Sequence, residues 1–277
     1  MNSKINDLLN EASLTSRIEI LKILRNGEYK LSDLHRELSS DGVKVPISTV
    51  SRALSNMVSS GILKRESGAF YLSPLGLIFI DAIESIEKSM NFEYLDLAYD
   101  FIVSLPVDLR FGIPYLTECD IIDNLGQLVK IMFEVIENVK IGGKYIDRVI
   151  NNDIFKLMME KNLQGCTEKV ISSEDTLIPR LKAGREVINE MGLNLEQIEQ
   201  IFEMVEIKVL DVPAQLGVID GEIAIIMFLK ENFTSPTFIS RDRKVIDWME
   251  RVFDYYWSIA KPIEEYLPGG MRDMFQL

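Results

Sequence analysis

Within residues 15–73 the spacing of the apolar side chains changes in a way that few folds accommodate. Ile18, Leu21 and Leu24 keep helical spacing, then Leu31, Leu34 and Leu38 do, and then Val50, Leu54, Met57 and Val58. Three short amphipathic helices follow from that period. Thr15 or Ser16 is placed to cap the first and Ser32 the second, and the third starts at Ser48. Gly27 closes the first helix, Gly42 and Pro46 break the chain after the second, and Gly61 stops the third. Past Gly61 the period switches. ILKRESGAFYL reads as two short β-like runs joined at Ser67-Gly68, which is a hairpin signal. Three helices and a hairpin within about 60 residues describe a winged helix-turn-helix.

The third helix has a second face, made of Ser48, Thr49, Ser51, Arg52, Ser55 and Asn56. A helix about 10–12 Å across fits the major groove of B-DNA, and its first turns reach base edges. Small hydroxyls at its N-terminus let the backbone approach a phosphate. Arg52 suits bidentate contact to a guanine and equally a phosphate, Asn56 suits an adenine, and Lys64 and Arg65 in the hairpin suit phosphate or the minor groove. The partner expected on these grounds is double-stranded DNA. A winged helix that docks on other proteins without reading DNA is the competing expectation. His35, on the second helix, is given no chemical role.

The chain carries 30 Lys and Arg against 43 Asp and Glu, a net charge of −13, which on its own argues against nucleic acid. The distribution reverses that. Residues 15–73 hold nine basic and six acidic side chains, a net of +3, while residues 74–277 carry −15. Such a chain approaches a polyanion in one orientation. The small positive excess predicts few phosphate contacts per subunit. A 47 % apolar and 26 % charged composition is that of an ordered globular chain, and 277 residues suit two domains. No run reaches the roughly 18 apolar residues of a membrane span. MNSKINDLLNEASL has no apolar core followed by a small-residue cleavage site, so a cytoplasmic protein without a membrane partner is expected. Cys119 and Cys166 stand apart beside a single histidine, so neither a Cys/His zinc site nor a disulfide framework is expected, and no cofactor. Both thiols are expected to be free and buried.

From Pro74 to residue 105 a helical pattern connects two domains, 1–73 and 106–277. Phe79, Ile83, Ile86, Met90, Tyr94, Leu97 and Phe101 form a near-heptad seam with one stutter. It packs either on the second domain or on its counterpart in another chain. A homodimer is favoured, because two-fold symmetry matches a palindromic site. Asn91-Phe92-Glu93 is alternatively a bend that splits the run. Beyond Pro114 strand-like and helix-like segments alternate. YLTECDIID, KIGGKYIDRVI, CTEKVISS and MVEIKVLDV read as strands, with helical stretches between them, and Asp220-Gly221 between two apolar runs is a second hairpin signal. PTFIS is a short strand, and Ser240 is placed to cap a last helix through Trp248, Val252, Tyr255 and Trp257. The fold class expected is α+β: a winged helix-turn-helix, a helical connector and a C-terminal mixed α/β sheet domain.

The segment STVSRALSNMVSSGILKRESGAFYLSPLG resembles the helix, wing and "SPLG" stretch of archaeal winged-helix regulators of the ArsR-like and TrmB-like kind. LGVIDGEIAIIMFLKENFTSPTFISRDRKVIDWMERVFDYYWSIAKPI is similar to the C-terminal domain of archaeal methanogenesis-type regulators, a likeness over roughly residues 110–263. The resemblance implies a transcription regulator whose C-terminal domain senses a small-molecule effector, with a phospholipase-D-like fold as one option. Arg241-Asp242-Arg243-Lys244 departs from that pattern by being more basic. Arg241, Arg243 and Lys244 either attract an anionic effector to the helix N-terminus or are solvated surface charges.

No catalytic residue is expected. Phospholipase-D chemistry needs a histidine nucleophile in each H-x-K motif, and His35 lies in the winged helix. Ser-His-Asp and Cys-His arrangements fail for the same reason. Glu206-Ile207-Lys208 imitates the E-x-K of metal-dependent nucleases, but an alternating strand places the two charges together without any such role. Gly142-Gly143 matches no nucleotide-binding loop.

Overall fold

The computed structural model describes residues 15–148, 150–230, 233–234 and 236–267; the segment MNSKINDLLNEASL lies outside them. The chain forms two compact units, Met1–Lys88 and Ser89–Leu277. The first contains α1 (Thr15–Leu24), β1 (Tyr29–Lys30), α2 (Leu31–Ser40), α3 (Ile47–Ser59), β2 (Leu63–Glu66), β3 (Ala69–Leu72) and most of α4 (Pro74–Met90). Leu21, Leu24, Leu34, Leu38, Val50, Leu54, Met57 and Leu72 are buried together with Ile20, Ile62, Phe70 and Ile80. These include seven of the ten apolar positions that the helical spacing selected, with Ile18, Leu31 and Val58 half-buried against them, which makes the unit a winged helix with a β1-β3-β2 sheet. Ser67 and Gly68 have φ of 51° and 83°. Both are left-handed, the conformation that a two-residue hairpin turn needs.

Two helix starts differ from expectation. Lys30, not Ser32, precedes the first residue of α2, and no side chain caps that end. The reason is β1: Lys30 pairs with Ala69 of β3, so the strand fixes the chain where a cap would otherwise be needed. α3 begins one residue early, at Ile47, behind Pro46. The connector also divides. α4 stops at Met90, residues 91–98 turn, and the next helix, α5 (Tyr99–Ser104), begins there. Ile80 is buried with the winged helix, whereas Phe92, Phe101 and Tyr94 pack into the core of the second unit.

The second unit continues with α6 (Val107–Arg110), a 3-10 turn (Ile113–Glu118), β4 (Asp120–Ile122), α7 (Leu125–Glu137), β5 (Gly142–Asp147), α8 (Asn152–Leu163) and β6 (Thr167–Ser172). Then come α9 (Glu174–Met191), α10 (Leu195–Met204), β7 (Val205–Val209), β8 (Ala214–Ile219), β9 (Ile223–Lys230), β10 (Phe233–Thr234), β11 (Thr237–Ser240), α11 (Arg243–Ile259) and β12 (Lys261–Pro262). The strands form one mixed sheet in the order β12-β7-β6-β5-β8-β9-β11-β4, with β10 on β9. β5, β6 and β7 are parallel, joined through α8 and through α9 with α10, and the rest pair antiparallel.

Successive strand residues point to opposite faces. Tyr145, Val170, Ile225 and Ile239 face α7 and α8, while Ile146, Ile171, Ile226 and Phe238 face α5, α6 and α11. The unit is therefore a helix–sheet–helix sandwich. Its Asp220-Gly221 turn has φ of 53° and 64°, and the Asp220 carboxylate accepts hydrogen bonds from the backbone N–H of Lys140, Ile141 and Gly142, each at 2.9 Å. Burial works against ionisation there, but the three backbone donors outweigh it and hold the carboxyl below its ordinary range. Among the described residues, no helix is long and apolar enough to cross a membrane.

Candidate nucleic-acid interface

α3 is anchored by one edge. Val50, Ala53, Leu54 and Met57 are buried, and Val58 is half-buried. The other edge faces solvent: Ser48, Thr49, Arg52, Ser55 and Asn56 are exposed and Ser51 is half-buried, with Ser59 continuing the exposed row. Ser55 Oγ donates to Ser51 O and Ser59 Oγ to Ser55 O, both at 3.0 Å. Those hydroxyl protons are used inside the helix, which leaves oxygen lone pairs outward as acceptors. Arg52 has no hydrogen-bond or ion-pair partner among the described residues. His35 Nε2 lies 2.9 Å from Val45 O and ties α2 to the loop that leads into α3.

In the wing, Lys64 and Arg65 are exposed neighbours on β2 and so leave opposite faces of the ribbon. Arg65 opposes Phe70 across the hairpin, with its guanidinium 5.2 Å from the ring centroid. That stacking restrains a long side chain beside the wing turn. Lys64 opposes Tyr71, whose hydroxyl lies 3.3 Å from Glu66 Oε2.

Ion pairing sharpens the charge pattern. Lys22 binds Glu19 at 3.3 Å and Glu87 at 3.2 Å, while Arg25 binds Asp81 at 2.6 Å and also Glu84. Arg36 binds Asp33 at 2.9 Å. Lys22 of α1 and Arg25 just beyond its end thus face the acids of α4. Lys30, Lys44, Arg52, Lys64 and Arg65 are exposed and have no ion pair among the described residues. These unpaired cations lie on β1, in the loop before α3, on its outer face and in the wing, interspersed with Glu28, Glu37, Asp41 and Glu66, acids that also have no ion pair among the described residues.

The "SPLG" turn fixes how α4 leaves the wing. Ser73 Oγ donates to Gly61 O at 2.6 Å and accepts from Gly76 N at 3.0 Å, so it caps a helix whose first residue is Pro74. At Gly76 a Cβ would stand 2.2 Å from Ile62 O, so only glycine fits.

The other singled-out residues have different surroundings. Asp242, not Ser240, caps α11, accepting from Lys244 N at 2.8 Å. Its carboxylate occupies the helix N-terminus, and Arg243 is paired with Asp247 at 2.7 Å. Arg241, Arg243 and Lys244 are exposed charges there, and Arg241 lines a surface pocket with Asp120, Glu134, Asp220 and Glu222. Glu206 pairs with Lys169 at 3.8 Å, and Lys208 donates to Trp257 O at 3.0 Å over the indole ring. Cys166 is buried but Cys119 only half-buried; burial pushes the Cys119 thiol up to about 11. Among the described residues, no cluster of His, Cys, Asp and Glu could hold a metal ion.

One group escaped the sequence entirely. Glu168 on β6 is 9 % exposed, beside Asn162, Arg180 and Gly184, in a cavity of the second unit. A single acid in an otherwise alternating strand resembles any solvated charge, and nothing in its neighbours signals that it points inward.

No family model and no curated protein matches the sequence. The chain is similar to the solved structure of TrmBL2, described as an archaeal chromatin protein that shows a novel mode of DNA binding; the identity is 14 %, 90 % of this chain and 93 % of that chain are covered, and the TM-score is 0.40.

Proposed function

We propose that this chain is a sequence-specific, DNA-binding transcription regulator that acts as a homodimer in the cytoplasm, without catalytic turnover, under control of an effector held by its second unit. The outer face of α3 supports the reading most strongly. It is a row of small polar side chains around an unpartnered Arg52, backed by a buried edge that fixes its presentation and flanked by the cations of a stacked wing. The buried centre of a protein-docking face is typically apolar or aromatic. This face has no such centre among Ser48, Thr49, Arg52, Ser55 and Asn56.

α4 supplies the reading for a dimer. Leu75, Ile78, Ile86 and Met90 are 42 %, 68 %, 59 % and 78 % exposed, and with Ala82 they lie 3 or 4 residues apart on one side of the helix. An apolar stripe that continuous suits a second copy of α4, and a two-fold pair of winged helices suits two half-sites.

Selection from a pool of random duplexes tests the proposal. Enrichment of a motif with two-fold symmetry is expected, and an unenriched pool after successive rounds would contradict it.

A further inference from the structure

The second unit contains a partly open cavity of about 90 Å³ lined by α8, α9, α10 and the strands β6 and β7. Phe155, Met158, Met159, Ile201, Phe202 and Ile207 supply its apolar walls. Methionine and phenylalanine together make an adaptable surface for a small organic body. A space of this size matches the volume of about three waters, or a compact organic body of about six heavy atoms.

One acid opens on it. Asn162 Nδ2 donates to Glu168 Oε1 at 2.8 Å, and Oε2 has no hydrogen-bond partner among the described residues. Arg180 is 8 % exposed and is turned to Asp147, with 2.8 Å between Nη2 and Oδ2 and its guanidinium stacked 5.3 Å over Phe155. Arg180 attracts the Glu168 carboxyl through space but makes its ion pair with Asp147, so among the described residues no cation binds Glu168 directly. Burial pushes that carboxyl up to about 7, aided by Asp147, although Asn162 and Arg180 pull the other way.

Gly184 is a separate indication. It sits inside α9, where glycine costs helix stability relative to alanine. A Cβ there would meet only Met159 Cε, at an ordinary 3.7 Å. Packing does not require glycine at this position. Its effect is to keep the cavity open.

We propose that this cavity binds a small primary amine, with the ammonium head on Glu168 and a compact apolar body of about six heavy atoms among the Phe and Met side chains. A cation supplies the direct ion pair that Arg180 gives to Asp147 instead, whereas an anionic ligand would place a second negative charge beside Glu168. The role of the amine as effector rests on the regulator reading above; its binding does not.

Calorimetric titration of the full chain tests this with isopentylamine, isopentanol and isovalerate as probes. The amine should bind about tenfold or more tighter than the alcohol, and isovalerate should give no heat. Glu168→Gln should erase the preference for the amine over the alcohol. Gly184→Val should remove binding of both, and Gly184→Ala, the milder change, should weaken both. Equal binding of amine and acid, an unchanged amine affinity in Glu168→Gln, or no binding to the wild-type chain at millimolar amine would overturn the proposal. A chain that binds the amine yet selects no DNA would retain the cavity and lose the regulator.

Discussion

Single side chains carry the sharpest consequences. Among the described residues Arg52 has no partner on the exposed side of α3. If it reads a guanine, Arg52→Ala relaxes preference at one position of each half-site by ~1–3 kcal/mol. Competition between matched and mismatched duplexes measures that, and an unchanged preference would remove Arg52 from base readout. Glu168 makes a different forecast. Its carboxyl is raised to about 7 in the fold by burial and lies near 4.5 otherwise. Between those values the folded chain holds a proton that the unfolded chain has released. Stability therefore falls as pH rises through that window, by roughly 3 kcal/mol in all, and levels off above it. Glu168→Gln should lack the decline: chemical denaturation should find it more stable than wild type at pH about 8 and near equal at about 4.5. Asp220 has the opposite sign. Its depressed carboxyl stabilises the fold above pH about 4, and that contribution is lost as pH falls through the folded value. Asp220→Ala should cost on the order of 3 kcal/mol near neutrality, since three backbone donors lose a charged acceptor, while Asp220→Asn should cost less.

At the scale of elements, the winged helix was nearly all legible in the sequence, because each piece is short and has its own period. The stripes of α1, α2 and α3 select the buried residues, Gly61 and Ser67-Gly68 mark the turns, and "SPLG" starts α4. What escaped is what depends on partners distant in sequence. The start of α2 is set by pairing of Lys30 with Ala69, and the end of α4 by where the core of each unit claims its aromatic residues. The seam expected through residue 101 is divided for that reason, and the exposed stripe on α4 runs through Ile78 instead of Phe79. Site legibility divides the same way. A helix face can be read from one segment, but an inward acid such as Glu168 needs the whole sheet to be known. Gly76 belongs to this scale as well. Gly76→Ala forces a methyl against the Ile62 carbonyl and should lower stability by roughly 1–3 kcal/mol, checked by thermal unfolding.

For the whole molecule, the proposed reading gives the two units one task. On that reading the acidic remainder of the chain would keep DNA to the region of α3 and the wing, and a homodimer would present two such regions together. Replacing Ile78 and Ile86 by Glu on α4 should give monomers by sedimentation, with weakened DNA binding; an intact dimer would move the interface elsewhere. An amine that favours one arrangement of the two heads would shift the fraction bound to DNA only by the ratio of its affinities for the two states. The most direct test of the central claim is an anisotropy titration of the purified chain with a duplex from upstream of its own gene, repeated across a salt series. A face read through Arg52 and the wing cations gives tight binding at low salt, with a log–log slope that is shallow for a DNA-binding dimer and shallower still in Lys64→Ala. Affinity that does not change with salt, or no affinity at all at low ionic strength, would contradict it.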